Sequence, residues 1–344
     1  MIALIWTFAP DAAASDVRAL LVGVSDYDDS LGIADLAGPP NDVRLLASVL
    51  EDRGVGDITI LADAVAGAQR PTHAAILSAF DDAADRTSPG DLLIVHFSGH
   101  GTQQIDRNGD EADGLDEVFL PADSAPGPTG SGLIANALVD DEIGALVRRV
   151  RAAGSDVWLV MDSCHSGSGI REIGESAVAR LVDPEIFGVK VSGARDPVGT
   201  APVAMSDDAL PGGLIAFYAA QASELAYEVK LGGAGDAETS YGQFSAKLAA
   251  RLQGGAAMSY RQLFQAILSD INKTPESISV RSQTPLWEGS LGDAAVLGGK
   301  GGVAVAQFRV EGEKVHAGLA HGFARGTLLA LVADAAAGAE AVLG

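Results

Sequence analysis

The sequence predicts an α/β fold: a mainly parallel central sheet with helices on both faces. Two observations carry this. Two apolar runs without alternation, Asp91-Leu92-Leu93-Ile94-Val95-His96-Phe97 and Val157-Trp158-Leu159-Val160-Met161, read as strands buried on both faces. Around them, strands alternate with segments of helical apolar spacing, the order that a parallel sheet needs. Both runs then stop in small and polar residues. Ser98-Gly99-His100-Gly101 comes after the first, and Asp162-Ser163-Cys164-His165-Ser166-Gly167 ends the second. Ligands gather at the carboxyl ends of strands in open α/β sheets. A thiol and an imidazole at two strand ends are the minimum equipment for a cysteine nucleophile with a histidine base.

Val17 to Val24 reads as the first strand, and Gly38-Pro39-Pro40 is expected to stop regular structure. Asn41 is a candidate cap for a helix with the stripe Val43, Leu45, Leu46, Val49 and Leu50. Ile58 to Leu61 is a second strand. Thr72 caps a helix facing inward through Ile76, Leu77, Phe80 and Ala84. Thr102 to Gly132 reads as one long acidic loop with a short apolar segment, Val118-Phe119-Leu120, and a loop of that length is usually functional. Asp140 to Arg151 is a helix with acids first and arginines last, as the macrodipole favours. Arg171 to Gly213 lacks pattern and reads as a mobile loop or linker. Leu214 to Ala219 resumes strand character, Gly232 to Asp236 is a loop, and Phe244–Leu252 and Tyr260–Ile271 are amphipathic helices. Val303–Val310 and Gly326–Val332 are candidate strands of a small C-terminal β appendage.

The totals narrow the function. The 344 residues suffice for one large domain with or without an appendage. A formal charge of −23 argues against nucleic-acid partners and suits cationic substrates. Cys164 is the single cysteine, which excludes an intrachain disulfide and a cysteine-rich zinc site. Met1 to Phe8 is apolar and Pro10 to Ser15 is rich in small residues, like a signal cleavage region, yet no Lys or Arg precedes them. Residues 1–16 are therefore an apolar tail or a signal-peptide remnant, and the Ala-rich exit favours a periplasmic or secreted protein over a cytoplasmic one. No other stretch is long and apolar enough to span a membrane.

The His100 and Cys164 motifs resemble the two catalytic motifs of metacaspases and their bacterial relatives, the orthocaspases, within the caspase-like clan. Further matches come in the same order: Asn41-Asp42, Asp113-Gly114-Leu115-Asp116-Glu117, Ala220-Gln221-Ala222-Ser223-Glu224 and Gln283-Thr284-Pro285. The resemblance covers residues 17–298, divided as a large-subunit-like part 17–170, a linker 171–213 and a small-subunit-like part 214–298, with 299–344 as the extension. It implies a caspase-like sheet and a cysteine endopeptidase that cuts after Arg or Lys.

Each residue then takes a role. Cys164 is the expected nucleophile and His100 the base and acid. The backbone N–H groups of Gly101 and Cys164 are candidates for the oxyanion hole. His96, inside its strand, reads as structural, and His165 points away from Cys164 in an extended chain. No third member of a triad is evident. The resemblance assigns Asp42, Ser98 and Asp162 to the pocket for the basic side chain (S1). Two carboxylates facing one guanidinium make charge-assisted bonds that suit it, although Asp42 could equally serve as an ordinary helix N-terminal residue. The resemblance also implies calcium as an activator, at Asp116, Asp140 and Asp141, with the fourth position falling at Arg171 beside Glu172. Separately, Asp106 to Glu117 has EF-hand-like ligand spacing, broken by Glu111 where glycine is needed. The plain alternative is a solvated acidic loop. The chemistry itself needs no cofactor. Arg180, Lys190, Arg195 and Lys230 are candidate self-processing sites. The expected partners are protein or peptide substrates with Arg or Lys at the cut position, and a monomer is favoured over an oligomer. Two other readings share the fold: a catalytically silent module that binds basic segments, and a transpeptidase that passes the thioester to an amine.

Overall fold

A computed structural model describes residues 15–109, 111, 113–164, 177–190, 209–222, 224–231, 239–255, 257–273 and 283–298, with the backbone of 310–311 and 314–315. In chain order the first half comprises β1 (Val17–Gly23), α1 (Pro39–Asp52), β2 (Asp57–Ala62), α2 (His73–Arg86), β3 (Leu92–Ser98), β4 (Gly101–Ile105) and β5 (Leu115–Phe119). Three two-residue strands come next, β6 (Ala125–Pro126), β7 (Ile134–Ala135) and β8 (Leu138–Val139), then α3 (Asp140–Ala152) and β9 (Asp156–Asp162). The second half comprises β10 (Ala177–Ala179), β11 (Leu214–Tyr218), β12 (Tyr227–Leu231), β13 (Thr239–Gly242), α4 (Gln243–Gln253), α5 (Tyr260–Asn272) and β14 (Leu286–Glu288). A short antiparallel pair, β15 (Val310–Glu311) and β16 (Lys314–Val315), lies beyond.

The central sheet has the order β14-β11-β9-β3-β1-β2. All neighbours are parallel except β14, which runs antiparallel to β11 at the edge. Because side chains alternate across a strand, each central strand feeds two cores. Leu93, Val95, Phe97, Val157, Leu159 and Met161 pack with Ile76 and Phe80 of α2 and Ile143 and Val147 of α3. Leu92, Ile94, Trp158, Val160, Ile215 and Phe217 pack with α1, α4 and α5 through Val43, Phe244 and Phe264. Covering both faces is why these strands read as unbroken apolar runs. It also fixes the residues at their ends: β3 and β9 are in register, so Ser98 pairs with Asp162 at the same sheet edge.

Four expectations change. Pro39 and Pro40 open α1 rather than prevent it, since proline's missing N–H costs nothing in the first turn. Gly38 is then the N-cap, and Asn41 lies inside the helix, its amide donating to the Ala37 and Ser240 carbonyls. Thr102 to Gly132 is not one loop: β4 and β5 pair antiparallel, with Gly101 opposite Phe119, and β8 joins β5. Polar residues hid the pairing: Thr102, Gln103 and Gln104 are consecutive and all buried, so β4 shows neither an apolar run nor an alternation. Within 171–213, residues 177–190 are an integral part of the fold. They form β10, paired with β12, and a 3-10 turn at Pro184–Phe187 whose Phe187 is buried. The segments 191–208 and 232–238 and the strands expected at 303–309 and 326–332 lie outside the described residues. Among the described residues no helix is long and apolar enough to cross a membrane.

Candidate active site

The site lies at the carboxyl edge of the sheet, where β3 and β9 end. Ser98 and Asp162 are brought together by strand register. Asp42 reaches the same point from the first turn of α1, accepting from the Ser98 hydroxyl at 2.7 Å and from the Gly242 N–H at 2.9 Å. Ser245, in the first turn of α4, holds Asp162 through its N–H at 2.9 Å and its hydroxyl at 2.6 Å. His96 lies behind them, 2.9 Å from the Ser245 hydroxyl and buried, which fits a structural role.

The chain's own Arg180 fills this pocket. Its guanidinium is wholly buried and donates to Asp42 at 2.7 Å, to the Ser98 hydroxyl at 2.9 Å and to the Asp162 carbonyl at 2.9 Å. It also pairs with the Asp162 carboxylate at 3.2 Å and stands 4.0 Å from Glu228. Glu228, on β12, is held in turn by the Ala37 and Gly38 N–H groups. Burial alone would lower the Arg180 pKa, but Asp162, Asp42 and Glu228 outweigh it and hold the cation charged. Asp42 is pushed up to about 6 by burial, against the opposing pull of Arg180. Two glycines make room. A Cβ at Gly242 would collide with Asp162 and meet the guanidinium at 2.6 Å, and one at Gly38 would meet it at 2.8 Å.

The backbone of Arg180 is equally engaged. Its carbonyl accepts from the Gly101 N–H at 3.1 Å and the Cys164 N–H at 3.3 Å, and its own N–H donates to the Ala226 carbonyl at 2.9 Å. The Cys164 thiol sits against the same residue, with the Ala226 N–H 3.1 Å from Sγ. The two N–H groups expected to form an oxyanion hole therefore converge on one carbonyl. A Cβ at Gly101 would run into the Cys164 carbonyl, so this approach of the two motifs needs glycine.

His100 completes the arrangement. Its Nε2 lies 2.9 Å from the Ala34 carbonyl, which requires the proton on that nitrogen and leaves Nδ1 as the basic one. Nδ1 is buried and makes no hydrogen bond. The ring packs against Tyr27 in a tilted arrangement, with centroids 5.0 Å apart, and the Tyr27 hydroxyl accepts from the His100 N–H at 2.9 Å. Burial lowers the imidazole to about 4, with the Ala34 carbonyl opposing and the Arg180 cation adding. Burial likewise pushes the Cys164 thiol up to about 12. Both groups are neutral at pH 7 while Arg180 fills the cleft.

Sequence reasoning missed Glu228, Tyr27, Gly38, Gly242, Ser245 and the Ala34 carbonyl. Of the self-processing candidates, Arg180 is in the pocket, Lys190 and Lys230 are exposed, and Arg195 lies outside the described residues, as do His165, Arg171 and Glu172. Of the carboxylates expected to hold calcium, two have side-chain amide partners. Asp116 accepts from the Gln104 amide at 3.3 Å and Asp141 from the Asn108 amide at 2.6 Å. Asp106 accepts the Asn108, Gly109 and Glu111 N–H groups of its own turn. Among the described residues no three His, Cys, Asp or Glu are placed to hold one metal ion.

A family model described as the caspase domain matches residues 16–296. Metacaspase-2 of Arabidopsis thaliana is 39% identical over 155 residues, 44% of this chain and 34% of that protein. Metacaspase-1 of Mycosarcoma maydis is 33% identical over 156 residues, again 44% of this chain, and 36% of its own length. The chain thus spans about a third of the length of these curated relatives. Among solved structures, protein GSU0716 from Geobacter sulfurreducens matches with a TM-score of 0.54 and 23% identity, over 80% of this chain and 93% of that one, which is a likeness of fold.

Proposed function

Because this chain belongs to the caspase-domain family, we propose that it is a cysteine endopeptidase cutting after Arg, and less well after Lys, and that the first bond it cuts is its own Arg180–Leu181. The observation that carries this reading is Arg180 itself. Its side chain is enclosed by Asp42, Asp162 and Glu228 while its carbonyl accepts from Gly101 and Cys164. A strand that offers both a side chain to a charged pocket and a carbonyl to two N–H groups is arranged as a substrate.

The chemistry draws on the groups present. Nδ1 of His100 takes the thiol proton, and the Cys164 thiolate attacks the Arg180 carbonyl carbon. The Gly101 and Cys164 N–H groups hold the oxyanion. The Arg180–Leu181 bond breaks as the imidazolium gives its proton to the leaving nitrogen. His100 then activates water, which frees the Arg180 carboxylate and restores the thiol. Asp42, Ser98 and Asp162 bind the basic side chain, and Glu228 adds negative charge. Arg is favoured over Lys because the guanidinium uses both terminal nitrogens, whereas an ammonium presents one point of charge.

Peptides ending in Ala-Val-Ala-Arg, Ala-Val-Ala-Lys and Ala-Val-Ala-Asp with a fluorogenic leaving group test the reading, beside intact mass of the incubated protein. Turnover of Arg over Lys by about tenfold, the loss of one or two charge-assisted bonds, is expected. It should be absent in Cys164→Ala and accompanied by chain cleavage after Arg180. Preference for Asp, or turnover retained in Cys164→Ala, would overturn it. A module that only binds basic segments would leave the chain and every peptide intact.

A further inference from the structure

We infer that the chain's own Leu181 amine, held in place after the Arg180–Leu181 bond opens, re-forms that bond faster than water opens the thioester, so that the self-cut cycles rather than completes. This rests on the peptidase reading above and concerns the fate of the acyl-enzyme once its first step is over. An ordinary peptide substrate is held chiefly on the side before the cut, and its other half diffuses away. Here both sides are fixed.

Before the cut, β10 pairs with β12, matching Ala177 with Val229 and Ala179 with Tyr227, and Arg180 is bound in the acidic pocket. On the other side of the Arg180–Leu181 bond, in the same intact chain, Leu181 is bridged to Gly101. The Val182 N–H donates to the Gly101 carbonyl at 3.1 Å, and the Thr102 hydroxyl donates to the Val182 carbonyl at 2.7 Å. Asp183 caps the adjoining turn by accepting the Glu185 N–H at 2.9 Å. Gly188, at φ 78°, closes that turn, and the Val189 N–H returns to the Pro184 carbonyl at 3.1 Å. Val182, Phe187 and Val189 are 4%, 4% and 0% exposed, inside the same core as α2 and α3. Breaking one peptide bond removes none of these contacts.

The balance is simple. Acylation breaks the Arg180–Leu181 C–N bond and forms the Cys164 thioester, and the Leu181 nitrogen leaves as a neutral amine with the proton from His100. In reverse, the amine attacks the thioester carbon, loses a proton to His100 and expels the thiolate. Oriented intramolecular nucleophiles reach effective molarities of about 10⁵ M or more, against roughly 55 M for water. The oxyanion hole serves both directions. Release of residues 181–189 from β4 and the core is then the event that converts the cycle into net cleavage.

Hydroxylamine tests this on the full-length protein. It is small enough to compete with the tethered amine, and it converts an Arg180 thioester into a C-terminal hydroxamate. The expected result is slow cutting in water, accelerated several-fold in proportion to hydroxylamine, with the hydroxamate on Arg180 by mass and neither product in Cys164→Ala. Val182→Ala, which loosens the leaving strand away from the catalytic groups, should cut several-fold faster in water and gain less from hydroxylamine. A cutting rate indifferent to hydroxylamine, or an unchanged rate in Val182→Ala, would overturn the inference. Peptide turnover by Arg180→Gln, which cannot fill its own pocket, separates the two failures. If that turnover is present while no hydroxamate forms, the peptidase reading stands and the cycle falls. If both are absent, both fall.

Discussion

Two acidic regions of this molecule differ in the charges and donors that surround them. At the sheet edge, Asp42, Asp162 and Glu228 surround Arg180, and each is tied by backbone or hydroxyl donors. Around β5 and the start of α3, the charges that weigh on Glu117 and Asp140 are all negative, those of Glu111, Asp113, Asp116 and Asp141. Burial and that crowding push Glu117 up to about 9 and Asp140 to about 7. Burial raises carboxyls in both regions, Asp42 and Glu228 as well as Glu117 and Asp140, but only in the first does a cation oppose it. The first region encloses a cation that balances its carboxylates. In the second, the charges that weigh on Glu117 and Asp140 include no cation. Counting acids would rank them alike, and only the guanidinium and the donors separate them.

The largest way to break the contrast is Arg180→Ala, which makes the pocket resemble the second region. Leaving buried carboxylates unpaired should cost about 3–5 kcal/mol in denaturant unfolding. The sign with pH is specific. Without the cation, Asp42 rises beyond its value of about 6. A raised acid is protonated in the fold and ionised in the unfolded chain, so stability falls as pH climbs from about 4 through the raised value. The deficit should be smallest near pH 5 and largest above about 7; a deficit independent of pH would show that the pocket carboxylates are not its source. The next effect is smaller. Ser245→Ala removes one of the two hydrogen bonds that Ser245 gives Asp162 and a partner of His96, and should cost about 1–3 kcal/mol. It should also raise KM for Arg-ending peptides more than it lowers kcat, since the thiol and His100 are untouched.

The opposite change sharpens the second region. Glu117→Gln should stabilise the protein, because the wild-type carboxyl is held protonated up to about 9 while the unfolded chain ionises near pH 4.5. The gain should be absent near pH 4, grow through neutrality and reach about 1–2 kcal/mol at pH 8, reduced from the full shift because the carboxyl is partly solvated. Thermal unfolding across that range reads it. A loss of stability at pH 8 would mean that Glu117 serves as an ionised partner.

How much of this was legible in the chain depends on the range over which each feature is encoded. The sheet strands β3 and β9 are written in consecutive residues, as are the His100 and Cys164 motifs that follow them, because burial on both faces demands apolar side chains at nearly every strand position. The Asp42, Ser98 and Asp162 set was reachable through resemblance. Glu228 was not: it lies 190 residues from the Gly38 N–H that orients it and sits in a strand whose other residues give no hint of a charge facing inward. Ala34 contributes only a carbonyl, which no side-chain pattern marks. Arg180 was visible as one basic residue among four in an irregular stretch. Its distinguishing features are a partner 138 residues away, Asp42, and a cavity lined by two glycines. The strands β4 and β5 were hidden by their own polar residues, since Thr102, Gln103, Gln104 and Asp116 are buried where a sequence pattern expects apolar side chains.

The finest distinction between the two acidic regions is their response to salt. A sealed ion pair excludes counter-ions, so Arg180 and its carboxylates should be indifferent to ionic strength, whereas Glu117 and Asp140 are half-buried and open to screening. Raising salt from about 0.05 to 0.5 M shortens the screening length from roughly 14 to 4 Å, which is below the reach of a crowded surface cluster. Wild-type protein should gain about 1–2 °C in Tm, but the formal charge of −23 means that part of that gain is general. The informative quantity is the difference between proteins at pH 8. Glu117→Gln should gain less from salt than wild type, because one of the mutually repelling groups is gone, while Val182→Ala, remote from both acidic regions in its chemistry, should gain as much as wild type. Equal gains in all three would assign the salt response to the surface as a whole and remove the distinction between a crowded cluster and an ordinary acidic face.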